Sequence, residues 1–123
     1  MLLGIDYGLK NIGLAVSQGN LASPVGTVKV KDFRQATIAI TQVVQKWSIE
    51  KIIVGLSEGK SKQRAQAFGK KLQTVLRLNV EYIDETLSSH EANTKKIKDK
   101  DQEHSRAAAI ILQRYIDNKI ELC

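Results

Sequence analysis

Short apolar runs closed by glycine or polar residues alternate along this chain with stretches whose apolar positions recur every three or four residues. "LLGIDYG" at the start reads as a buried strand, and "NIGLAVS" follows after a tight connection as its hairpin partner. "VGTVKV", just after Pro24, alternates as a third strand. From Asp32, an N-cap residue, "FRQATIAITQVVQKW" places Phe33, Ala36, Ile40, Val43, Val44 and Trp47 on one helical face. "KIIVGL" is apolar throughout, the mark of a central parallel strand. "KQRAQAFGKKLQTVL" predicts a second helix with Ala65, Phe68, Leu72, Val75 and Leu76 inward, and "VEYID" a fifth strand. "SSHEANTKK" suggests a further helical turn or two, "IKDKDQE" a charge-dense loop, and "HSRAAAIILQRYIDN" the last helix.

The order is three strands, helix, strand, helix, strand, helix. The opening strands form an antiparallel meander, and each later strand arrives by a helical crossover and pairs in parallel. The fold class is therefore α/β: one mixed five-stranded sheet covered by helices. No repeat or linker divides residues 1–123, so a single domain is expected.

Composition narrows the class. With 42% hydrophobic and 26% charged residues the chain is that of a globular, not a disordered, protein. The single cysteine, Cys123, permits no internal disulfide, which points to a reducing cytoplasm. No basic leader opens the chain and no run is long enough to span a bilayer, so no membrane partner is expected. Nineteen Lys and Arg against thirteen Asp and Glu give a net charge of +6, which favours an anionic partner such as nucleic acid. Lys60, Lys62, Arg64, Lys70 and Lys71 form one basic group; Lys95, Lys96, Lys98 and Lys100 form another. Aromatics are few (5%), so contact with backbone phosphates is expected rather than stacking on splayed bases.

Sites in α/β sheets gather at the carboxyl ends of strands. Asp6 ends the first strand, Asp84 and Glu85 end the fifth, and Asp101, Glu103 and His104 precede or open the last helix. Together these suit a divalent metal doing phosphate chemistry, since hard oxygen donors select Mg²⁺ or Mn²⁺. Each also has a local role open to it: an Asx turn for Asp6, a helix cap for Asp84, a first-turn acid for Glu85, an exposed helix-start residue for His104. Gly4, Gly8 and Gly13 would let the backbone approach a ligand, with Lys10 placed to meet an anion. The pattern matches neither a P-loop nor a dinucleotide fingerprint.

"LLGIDYGLKNIGLAVS", "KIIVGL", "VEYIDETLSSHEA" and "SRAAAIILQRYID" together resemble the YqgF/RuvX family in order and spacing, over essentially the whole chain. That family is RNase H-like, and is described as Holliday-junction-resolvase-like or as nucleases maturing the 5′ end of pre-16S ribosomal RNA. The resemblance implies an RNase H-like mixed sheet and a metal-dependent endonuclease leaving a 5′-phosphate and a 3′-hydroxyl. It matches Asp6 to the strand-one aspartate, Asp84 and Glu85 to the later acidic pair with Glu85 on the metal, and Lys10 to the basic residue after the first turn. The implied substrate is pre-rRNA or branched DNA, held by Lys10, Lys60, Lys62, Arg64, Lys95, Lys96 and Lys98, and the protein would act as monomer or homodimer.

The chain departs from the family pattern in three places. Thr86 follows the acidic pair where the family usually has Arg, and "GLSEGKSKQ" replaces a Pro-containing, longer Asp-Gly loop. The third is His104, at the position where the family usually has Asp before its S-x-A-A motif. Neutral imidazole brings no negative charge, favours Mn²⁺ over Mg²⁺ and titrates near neutrality. Three outcomes stay open: His104 ligates a Mn²⁺-biased site or moves a proton, Glu103 or Asp101 supplies the carboxylate instead, or the site is inactive. The alternative from another class is a non-catalytic nucleic-acid-binding module in ribosome assembly. A third candidate is a sugar-kinase or actin-like ATPase, which length disfavours, since those pair two such domains.

Overall fold

The computed structural model describes residues 1–8, 10–56, 60–84 and 100–122, with the backbone alone for 60, 61, 84, 100–103 and 119–122. Along the chain run β1 (Leu2–Asp6), β2 (Asn11–Gln18), β3 (Leu21–Lys29), α1 (Phe33–Trp47), β4 (Lys51–Leu56), α2 (Lys60–Leu76), β5 (Asn79–Asp84) and α3 (Lys100–Leu122). The strands form one sheet in the order β3-β2-β1-β4-β5. β1, β2 and β3 pair antiparallel, whereas β4 joins β1 and β5 joins β4 in parallel. This is the mixed α/β sheet that the apolar runs predict.

Period-two alternation divides the strand residues between two cores. Leu3, Ile5, Ile12, Leu14, Ile52 and Val54 face α1 and α2, where they meet Ile40, Ala65, Phe68 and Leu72. Ala15 and Ile53 face the opposite way, onto Ala108, Ile111, Leu112 and Ile116 of α3. α1 begins where its sequence says it should: the Asp32 carboxylate accepts the backbone N–H of Gln35 at 2.9 Å.

α3 lies closer to the sheet than side chains would allow, and glycines make room for it. A Cβ at Gly4 would stand 2.8 Å from Leu112 Cβ and 2.9 Å from the Ala108 carbonyl oxygen. One at Gly13 would stand 2.0 Å from the carbonyl oxygen of His104. The helix is also pinned on both flanks. Gln113 accepts the N–H of Ala22 and donates to the carbonyl of Asn20, each at 2.9 Å. On the other side the Tyr115 hydroxyl donates to Glu81 of β5, which also pairs with Lys51 Nζ at 2.8 Å.

Three expectations need correction. β3 starts at Leu21, so Pro24 lies inside the strand. β3 is an edge strand, where a missing N–H need not break a ladder, and a register shift between Leu14 and Ala15 accommodates the local irregularity. Val75 is 54% exposed rather than inward, because Leu76, one turn after Leu72, continues the buried stripe. The last helix starts at Lys100, so part of the segment expected as a loop is helical. Residues 99–103 contain no Gly or Pro, and acids in a first turn complement the helix dipole. The suggested helical turns over 88–96 lie outside the described residues.

Two substitutions test this packing. Gly13→Ala pushes α3 off β2 and lowers stability by about 1–3 kcal/mol, read as a fall in the urea midpoint. Tyr115→Phe removes the hydroxyl's bond to the Glu81 carboxylate and the one it accepts from Lys51 Nζ, and costs about 1–2 kcal/mol in the same assay. Unchanged midpoints contradict the packing.

Candidate active site

The carboxyl ends of β1, β4 and β5 lie side by side, so Asp6, Gly55 and Asp84 come from one edge of the sheet. Asp6 is the last residue of β1. The alternation that turns Ile5 toward α1 and α2 turns the Asp6 side chain toward α3. Both of its cross-strand neighbours are glycines, Gly13 on β2 and Gly55 on β4. The space above Gly13 is filled by the backbone of His104. Gly55 extends no side chain on the other flank.

The close approach at Gly13 brings the imidazole of His104 beside Asp6, with Nδ1 3.6 Å from Asp6 Oδ2. This separation is within ion-pair reach but longer than an ordinary hydrogen bond. The Asp6 side chain retains 14% exposure and that of His104 33%, so both reach solvent from a partly sheltered position. His104 lies one turn inside its helix, not at its start.

The other site residues divide. The backbone of Asp84 ends β5, one register step beyond the residues paired with Gly55. Glu85, Lys95, Lys96 and Lys98 lie outside the described residues, and Lys60 is described by its backbone as the first residue of α2. Among the described residues no group of three or more His, Cys, Asp and Glu gathers as a metal site. Lys62 and Arg64 are exposed on α2. Lys10 is exposed beside Lys29 and Lys31 around a cavity of about 690 Å³.

The glycine reading changes. Gly4 and Gly13 admit α3, and a Cβ at Gly8 would meet the carbonyl oxygen of Asn11 at 2.6 Å, so these glycines serve the chain's own packing. Gly55, Lys29, Lys31 and Tyr7 were not singled out by sequence. Gly55 carried a signal only once strand register was known, since it matters as the neighbour of Asp6.

Comparison with known proteins identifies the family and the fold. The sequence model of the family described as "RuvX: Holliday junction resolvase" matches residues 1–118. A "Putative pre-16S rRNA nuclease" of Caldanaerobacter subterraneus subsp. tengcongensis is 35% identical, covering 96% of each chain. A protein of the same description from Hydrogenovibrio crunogenus is 34% identical over 95% of this chain and 93% of its own. In fold, the chain is similar to Thermus thermophilus RuvC in complex with a Holliday junction substrate, at TM-score 0.66 and 14% identity over 97% of this chain and 94% of that one. The fowlpox virus resolvase bound to Holliday junction DNA gives 0.62 at 12% identity, covering 97% and 98%. Among the described residues no helix is long and apolar enough to cross a membrane. With a family match across nearly its whole length and the RuvC-like sheet to go with it, this chain belongs to the RuvX family.

Proposed function

We propose that this chain is a nuclease hydrolysing phosphodiester bonds in structured nucleic acid, and that its substrate is the 5′ end of pre-16S ribosomal RNA. The observation that carries the reading is the Asp6–His104 pair, 3.6 Å apart at the carboxyl edge of the sheet and reachable from solvent. Relatives described as pre-16S rRNA nucleases support the substrate. Branched DNA is the second reading, favoured by the family's description as Holliday junction resolvase.

The pair fits a divalent cation. Donor atoms 3.6 Å apart lie within the span of two coordination bonds of about 2.1 Å each. Asp6 and His104 would hold Mg²⁺ or Mn²⁺ together with Glu85 and Asp84, and the imidazole favours Mn²⁺. Such an ion supplies electrostatic stabilisation of the charge that builds on the phosphodiester oxygens. Asp6 keeps the His104 ring oriented by facing Nδ1. The other role open to His104, off the ion, is to take a proton from the attacking water through a ring nitrogen. Lys10, Lys62 and Arg64, with the lysines at 60 and 95–98, hold the phosphate backbone.

Cleavage of a precursor-rRNA fragment and of a four-way DNA junction, each with Mg²⁺ and with Mn²⁺, tests the reading. Asp6→Asn abolishes cleavage and leaves binding within about twofold, since one carboxylate repels rather than holds the backbone. His104→Ala slows cleavage by about a hundredfold or more, and His104→Asp restores it with Mg²⁺. A wild type that binds but never cleaves with any divalent ion is a binding module instead. Wild-type rates in His104→Ala remove His104 from the site.

A further inference from the structure

Alternation at the end of β1 sends successive side chains to opposite faces: Asp6 toward α3, Tyr7 toward α1 and α2. On that second face Tyr7 borders a cleft of about 320 Å³, with Phe33 from the start of α1 and Phe68 from α2. The Tyr7 and Phe68 rings lie 4.6 Å apart and tilted by 35°, and Phe33 meets Phe68 edge-on at 5.7 Å. The chain has six aromatic residues, two Phe, three Tyr and one Trp, and three of them meet here.

The rim is cationic. Lys31, Arg64 and Lys71 line the cleft, with the Lys71 ammonium 5.2 Å from the centre of the Phe33 ring. The one acid in the lining, Asp32, is committed to the N–H of Gln35. Through Val30 and Lys31 the cleft adjoins the cavity lined by Lys10 and Lys29. The start of α1, the end of β3 and the end of β1 all meet at the carboxyl edge, so this cleft and the Asp6–His104 pair open from the same edge on opposite faces of the sheet.

We infer that the cleft holds an unpaired nucleobase of a single strand whose backbone crosses the carboxyl edge toward Asp6. The inference rests on the nuclease reading for that direction and goes beyond it in assigning a base-holding site. Phe68 is buried behind the other two, so the ring surface left to a ligand is that of the half-buried Tyr7 and Phe33, and with its cationic rim it matches a flat, apolar ligand flanked by phosphates. Base–aromatic stacking is sequence-tolerant, because every base presents a π face. The site would select single-stranded flanks over continuous duplex, whereas surface lysines alone hold either.

The test is binding, in EDTA, of a short RNA or DNA strand carrying 2-aminopurine, against the same strand fully paired. Stacking quenches the wild-type fluorescence on the single strand and leaves the duplex signal unchanged. Ala67 is exposed on α2 and borders the cleft, so Ala67→Trp closes it without entering the core. Ala67→Trp and Phe33→Leu each weaken single-strand binding about tenfold or more and abolish the quench, while duplex binding changes less than about threefold. Lys71→Gln weakens single-strand binding severalfold and keeps the quench. An unquenched wild type, an Ala67→Trp variant binding single strands like wild type, or equal binding of a polyglutamate peptide overturns the assignment. Because no cleavage occurs in EDTA, a failed quench leaves the nuclease reading intact, and an inactive nuclease leaves the quench to be judged alone.

Discussion

The candidate site depends on one close contact, the backbone of α3 resting on β2 where residue 13 has no side chain. The carbonyl of His104 occupies the place where a Cβ at Gly13 would begin. Because Gly13 is the cross-strand partner of Asp6, that contact also sets the imidazole beside the carboxylate. Gly4, two pairs further along the ladder on β1, repeats the approach against Ala108 and Leu112, and the small face of the helix, with Ala108 fully buried, follows from it. Gln113 and Tyr115 then hold the helix from opposite flanks. Packing rather than ionic attraction therefore brings His104 to Asp6, which suits a site: a partly exposed ion pair contributes little to stability and stays available for chemistry.

The same strand end serves two surfaces. Period-two alternation gives the α3 face a carboxylate and the other face an aromatic ring from adjacent residues, Asp6 and Tyr7. Around Tyr7 the cations come from α2 (Arg64 and Lys71) and from the turn before α1 (Lys31). A nucleic-acid backbone drawn to that edge would meet the lysines on one face and the Asp6–His104 pair on the other.

Much of this was legible in the sequence, and the failures have local causes. Apolar runs marked all five strands, and the Asp32 cap marked the start of α1. Pro24 stood before the expected third strand and lies inside the observed one, because an edge strand tolerates a residue without an N–H. The charges of residues 99–103 read as a loop, although nothing in them breaks a helix. For the site, Asp6 and His104 stood out as chemistry at element ends, yet their meeting depends on residues 13 and 104, which are far apart in the chain. The glycines of the first motif looked like room for a ligand; Gly4 and Gly13 make room for a helix, and Gly8 for the carbonyl of Asn11. Tyr7, Phe33 and Phe68 carried no joint signal, since only the sheet edge and two helices bring them together. Low aromatic content argued against stacking, but content does not say how its residues are distributed.

The central claim is that Asp6 and His104 act as one catalytic unit. The most direct measurement is a double-mutant cycle on the divalent-metal-dependent cleavage rate, comparing Asp6→Asn, His104→Ala and the pair together. If the two residues work as a unit, the double variant is no slower than the slower single variant. If the losses multiply as independent effects, the residues act separately and the account of the site fails.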